Sequence, residues 1–146
     1  MAQVAEVEVS KDGAVRVRRV VCALDCGTVV NPRLLVGQVH GGIVHGLGNA
    51  LMEEAIYDEE SGQLLSGTLM DYALPRADDT PSLQVETIAT ASPNNFMGLK
   101  GVGELPTNGA PAAIANAVLD ALRPLGVRHL DMPITSHKVW AAINRS

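Results

Sequence analysis

The sequence predicts an α+β domain in which mixed sheet hairpins pack on a central glycine-rich helix and on helices at the C-terminal end. Three observations predict it. Several short stretches alternate apolar and polar residues, the period-two signature of strands with one face buried. Asn31-Pro32 has the form of a helix start, an N-cap followed by proline at the first helical position. Towards the C-terminus, Ile114, Ala117, Val118 and Ala121 fall at helical spacing.

The alternation is clearest in residues 3–9 and 14–21, with Ser10-Lys11-Asp12-Gly13 as the turn between them, so the first element is a β-hairpin. Arg16 and Arg18 share one face of its second strand and are expected to pair across to Glu6 and Glu8. Asp25-Cys26-Gly27 is a turn, and the helix after it is expected from residue 32 to about residue 54. This helix contains Gly37, Gly41, Gly42, Gly46 and Gly48. Each costs about 1 kcal/mol relative to Ala in a helix interior. Gly37 with Gly41, and Gly42 with Gly46, each share a face. The expected offset is packing too close for side chains, in a helix that is central and largely buried. Small residues at this spacing also serve membrane helix pairs, but Gln38, His40, His45 and Asn49 argue against lipid contact.

Residues 55–57 and 64–74 read as strands flanking the turn Asp58-Glu59-Glu60-Ser61-Gly62, a second hairpin. Residues 83–90 alternate as a further strand after a loop over 75–81 that carries Asp78 and Asp79. Residues 92–105 form a long irregular loop, followed by helices expected over 110–122 and 136–143. There is no internal repeat and no low-complexity tract.

A chain of 146 residues is the size of one domain with room for a real core. Its residues are 47% hydrophobic but only 3% aromatic, so that core must be built from Ala, Val, Leu and Ile. A formal net charge of -5, with basic residues scattered apart from Arg16, Arg18 and Arg19, gives no electrostatic footprint for nucleic acid. The N-terminus has no basic flank or apolar signal core, and no apolar run approaches the roughly 20 residues that span a bilayer. The expectation is a soluble, cytoplasmic protein. Cys22 and Cys26 match neither a CxxC redox pair nor a four-ligand zinc site. They read as reduced, mostly buried thiols, and a disulfide would require a sharp backbone turn between them.

Within the long loop, Lys100-Gly101-Val102-Gly103-Glu104 presents one carboxylate beside two glycines that let backbone amides approach a ligand closely. Ordered loops of this length in compact domains are commonly functional. From these residues alone, Glu104 reads equally as a catalytic base and as an acidic residue stabilising the positive end of a helix dipole.

Taken in order, Asp25-Cys26-Gly27, Asn31-Pro32, Gly37-Gln38-Val39-His40-Gly41-Gly42, Gly46-Leu47-Gly48, Glu53-Glu54, Asp71-Tyr72-Ala73-Leu74-Pro75 and Lys100-Gly101-Val102-Gly103-Glu104 form one pattern. It resembles the molybdenum hydroxylases. The similarity is to the C-terminal end of the molybdopterin-binding large subunit of the aldehyde oxidase, xanthine dehydrogenase and carbon monoxide dehydrogenase types. Met132-Pro133-Ile134-Thr135 and Val139-Trp140 fit the usual ending of that subunit, and the resemblance covers nearly the whole chain.

The resemblance implies hydroxylation at a molybdenum centre bearing oxo, sulfido and hydroxide ligands. Glu104 would be the base that deprotonates the metal-bound hydroxyl as its oxygen attacks an electrophilic carbon and hydride passes to the sulfido ligand. Partial desolvation would suit a glutamate to that work. Gln38 aligns with a glutamine that hydrogen-bonds the pyranopterin through its amide. The bland alternative is a glutamine satisfying a neighbouring backbone group. Lys100, Gly101, Val102 and Gly103 match the backbone loop beside the cofactor. None of His40, His45, His129 and His137 is assigned to a metal, because the family holds molybdenum through the pterin dithiolene.

The family's large subunit is several times longer than these 146 residues, and its upstream parts supply most pterin contacts and much of the substrate pocket. The chain is therefore expected to be a single domain, residues 1–146, inactive alone. It would be either a fragment or one product of a split subunit. The implied cofactor is a molybdenum pyranopterin, as such or as a dinucleotide. The implied partners are the complementary molybdopterin-binding polypeptide and chains or domains carrying iron-sulfur clusters and FAD. Aldehydes, N-heterocycles and carbon monoxide all stay open as substrates. The alternative is a stand-alone structural or binding module, or an inactive fragment. Faces that relatives cover would be apolar and open here, so self-association or instability is expected.

Overall fold

A computed structural model describes residues 1–145. The chain runs β1 (Ala2–Val9), β2 (Val15–Leu24), α1 (Pro32–Leu51), a 3-10 turn at Ala77–Asp79, β3 (Ser82–Thr87), α2 (Leu105–Leu122), a second 3-10 turn at Arg123–Leu125, and α3 (Ser136–Ile143). The fold is α+β, as the sequence predicts. Its sheet is mixed, in the order β1-β2-β3, with β1 antiparallel and β3 parallel to β2. Parallel pairing requires a crossover, which α1 and the long segment behind it provide.

The first hairpin forms as expected, with Gly13 at positive φ closing its turn against the Ser136 carbonyl and Trp140 of α3. The arginine pairing is corrected by one feature. An irregularity between Glu6 and Val7 shifts the register so that Glu6 lies opposite Arg19, not Arg18. Arg19 accordingly pairs with Glu6 at 3.1 Å, and Arg18 with Glu8 at 3.6 Å. Arg16 makes neither ion pair. A bulge inserts one extra residue on one strand, which alternation alone does not reveal.

α1 begins where expected. The Asn31 side chain accepts hydrogen bonds from the amides of Arg33 and Leu34, each at 3.1 Å. The helix ends at Leu51 rather than at residue 54, because the Met52 and Glu53 amides both turn back to the Gly48 carbonyl. Val39, Ile43 and Leu47 of α1 share a buried core with Val20, Cys22 and Leu24 of β2 and with Ala110 and Ile114 of α2. A second cluster joins Val118 and Leu122 of α2 to Ile134 and to Val139 of α3, beneath the first hairpin. Both thiols are free and buried, as expected.

The glycine expectation holds for only half of α1. A β-carbon at Gly46 would lie 2.6 Å from the Ala110 β-carbon, and one at Gly42 would lie 2.9 Å from that of Pro106, so these two let α2 cross closely. At Gly37 and Gly41 a β-carbon would meet nothing within 4 Å. That side of α1 is open, so close packing explains Gly42 and Gly46 but not Gly37 and Gly41.

The second hairpin is also corrected. It shrinks to one antiparallel bridge between Tyr57 and Leu64, and the expected strand over 64–74 is a series of turns. Leu69 is 78% and Met70 91% exposed, so their apolar character finds no partner among the described residues. Tyr72 folds back over the end of α1 by donating its hydroxyl to Glu53 at 2.7 Å. α2 starts at residue 105, five residues earlier than expected, because Pro106 occupies the first turn, where a missing N–H costs nothing. α3 spans the expected residues.

Candidate active site

Two elements that are distant in sequence meet here. Gln38 lies on α1 and Gly103 at the end of the long loop, and the Gln38 Nε2 donates to the Gly103 carbonyl at 2.6 Å across a separation of 65 residues. The glutamine does satisfy a backbone group, as the bland reading has it. That backbone group belongs to the loop of interest, and the contact places the side-chain amide beside it. Leu34, Gln38, Gly41 and His45 follow one another at i, i+4, i+7 and i+11, and so form one exposed stripe on the open side of α1.

The loop is ordered by identifiable contacts. Gly27 and Gly98 both have positive φ, and a β-carbon at Gly27 would collide with the Gly98 carbonyl, so only glycine allows the two backbones to touch. The Thr28 and Ser92 amides both donate to that carbonyl at 3.1 Å. The Asn95 side chain clasps both backbone groups of Leu99, at 2.8 Å and 2.9 Å. The Lys100 amide donates to the Cys26 carbonyl at 3.0 Å, and its ammonium reaches Asp25 at 2.6 Å.

The five predicted loop residues thus have distinct environments. Lys100 is anchored through both backbone and side chain, and Val102 packs against the core. A β-carbon at Gly101 or Gly103 would meet nothing within 4 Å. Glu104 is the residue preceding α2, where the dipole reading puts it, yet its side chain makes no capping hydrogen bond. It is exposed. The desolvation expected around it is not supplied by the described residues.

Next to these residues lies an apolar cleft of about 340 Å³, lined by Cys26, Val29, Leu34, Gln38, Leu99 and Val102 among others. Lys100 sits on its wall and Glu104 does not. A larger cleft of about 440 Å³ lies between β2, α1 and the Asp78–Ser82 region, away from every predicted site residue. Among the described residues no three His, Cys, Asp or Glu side chains gather as a metal site. His129 contacts Asp131 at 2.9 Å on the exposed surface.

Asp25 is the residue that sequence reasoning passed over. Its only sequence signal is the glycine two positions later, which fits a tight turn capped by a carboxylate. Its carboxylate accepts from Lys100 Nζ and from the amides of Gly27 at 2.9 Å and Thr90 at 3.2 Å. The Lys100 hydrogen bond first, and the Gly27 amide next, stabilise the carboxylate and hold its pKa well below the ordinary aspartate range.

Residues 1–81 match the family model described as molybdopterin cofactor-binding domain, more than half of the chain. The chain belongs to this family. The matched region includes Gln38 but ends before the loop that carries Glu104. Similarity to curated relatives extends further. The chain is 43% identical over 131 residues to the carbon monoxide dehydrogenase large chain of Hydrogenophaga pseudoflava, covering 90% of this chain and 16% of that one. It is 40% identical over 130 residues to the nicotine 6-hydroxylase large subunit of Paenarthrobacter nicotinovorans, covering 89% and 16%. Its fold superposes on quinoline 2-oxidoreductase from Pseudomonas putida 86 with a TM-score of 0.90 at 41% identity, over 94% of this chain and 18% of that one. The chain therefore spans about one sixth of the length of the curated relatives it matches. No helix among the described residues is long and apolar enough to cross a membrane.

Proposed function

We propose that residues 1–146 form one domain of a molybdenum-dependent hydroxylase, contributing its general base and one wall of its cofactor site. The observation that carries this is the Gln38–Gly103 hydrogen bond, which joins two distant segments singled out by the resemblance at a place where four glycines, Gly37, Gly41, Gly101 and Gly103, leave open space. Glycine-lined backbone with one side-chain amide is a suitable surface for a flat, hydrogen-bonding heterocycle. The residues present fit one side of a pyranopterin, as such or as a dinucleotide.

When bound, a molybdenum pyranopterin supplies a metal centre that activates oxygen and accepts two electrons. Glu104 would be the base that takes up the proton of the oxygen nucleophile. Gln38 ties Gly103 to α1 and would hold the pterin through the rest of its amide, so that the base and the cofactor wall would share one support. Lys100, Gly101, Val102 and Gly103 offer backbone groups rather than charge, since the Lys100 ammonium is taken by Asp25. Water exclusion around the exposed Glu104 is left to the complementary molybdopterin-binding polypeptide. Iron-sulfur and FAD carriers on partner chains or domains would supply the onward redox chemistry, and the substrate would be an aldehyde, an N-heterocycle or a similar small molecule.

Glu104→Gln in the enzyme assembled with the rest of its molybdopterin-binding subunit tests this. The expected result is a loss of turnover of about 10²–10⁴-fold, the contribution of a positioned base, with molybdenum content unchanged. Turnover retained by the variant would remove Glu104 from the mechanism. A wild-type assembly without molybdenum would favour an inactive fragment or a binding module.

A further inference from the structure

We propose that Asp25 is a positioning residue that holds the 98–104 loop, and through it Glu104, in register with α1. The proposal rests on Glu104 being the base.

Asp25 lies just beyond β2, and its one carboxylate joins three segments. It accepts from Gly27 on its own turn, from Thr90 beyond β3, and from the Lys100 ammonium on the loop. The Lys100 amide adds a bond to the adjacent Cys26 carbonyl, so Lys100 is fixed at both ends. The next tie after Lys100 is Gly103, held by Gln38. Between the two ties, Gly101 has no neighbour for a β-carbon, and only Val102 packs inward. Glycine backbone has wide conformational freedom, so the direction of the chain entering Glu104 is set by its anchors rather than by its own sterics.

The location argues for positioning over bulk stability. The Asp25 and Lys100 side chains are 29% and 33% exposed, and ion pairs with that access to water contribute little to folding. Lys100, the Asp25 partner, lies at the wall of the apolar cleft, four residues before Glu104. A displacement of about 1 Å at a reacting group can cost roughly 100-fold in rate, so a contact of small folding value can have a large catalytic one. Asp25→Asn keeps an acceptor for the Gly27 and Thr90 amides and removes the charge that holds Lys100.

Two measurements decide the proposal. Amide hydrogen exchange on the 146-residue chain is expected to show faster exchange across residues 98–104 in Asp25→Asn and in Lys100→Met, with β2 and α1 unchanged. In the assembled enzyme, Asp25→Asn is expected to lower kcat by about 10- to 100-fold with KM and molybdenum content unchanged. Lys100→Arg, which can still meet Asp25, is expected to recover most of the activity that Lys100→Met loses. Wild-type exchange in the loop of both variants would overturn the proposal, as would faster exchange without loss of kcat. Equal loosening of β2 and α1, or failure of both variants to fold, would make Asp25 a structural residue and overturn it too. If Glu104→Gln keeps full turnover, the base reading fails separately, while the exchange pattern still reports on the tether.

Discussion

The two sides of α1 carry the same sequence signature for opposite reasons. On the side facing α2, Gly42 and Gly46 lie under Pro106 and Ala110, where a side chain would collide. On the other side Gly37 and Gly41, with the same spacing, face open space next to Gln38. The first pair is explained by the fold, since helix contact offsets the cost of glycine. The second pair costs about 1 kcal/mol per residue against Ala and gains nothing from packing among the described residues. Glycine at a helix surface without a neighbour among the described residues is what the proposed cofactor wall would account for.

Substitutions on the two sides should therefore act in opposite directions. Gly46→Ala is expected to destabilise the fold by about 1–3 kcal/mol, the usual result of overpacking a closed contact, read as a lower denaturation midpoint. An unchanged midpoint would show that α1 and α2 are less tightly apposed than their backbones indicate. Gly41→Ala is expected to raise stability by about 1 kcal/mol from helix propensity alone, while lowering the molybdenum content of the assembled enzyme. If Gly41→Ala leaves molybdenum content unchanged, the open side of α1 is not a cofactor wall and the contrast reduces to packing.

What could be read from the sequence follows the same division between local and distant causes. The Asn31 cap, the first hairpin and α3 rest on local signals, and they appear where expected. The start of α2 was hidden by Pro106, Gly109 and Pro111, residues that normally argue against a helix, though proline is tolerated in a first turn. The Glu6–Arg19 pair depends on a bulge, and the parallel partner of β3 on a crossover, neither of which has a local signature. The misread strand over 64–74 has a further cause. Its apolar residues signal burial, but Leu69 and Met70 have no burial within the described residues. Exposed apolar surface on this scale marks an interaction site or an association hazard. At the site, Gln38 and the 100–104 loop were legible through their motifs. Asp25 was not, because its role depends on Thr90 and Lys100 arriving from elsewhere in the chain.

The central claim is the proposal that this chain supplies one side of a molybdenum site that the rest of a molybdopterin-binding subunit completes. Its most direct test is molybdenum content measured together with native mass, on the chain alone and after co-expression with the rest of a molybdopterin-binding subunit. The account predicts a chain that carries no metal by itself and self-associates through its open apolar surface, and metal that appears only in the larger assembly. A monodisperse monomer with bound molybdenum, or a complete assembly without it, would contradict the account.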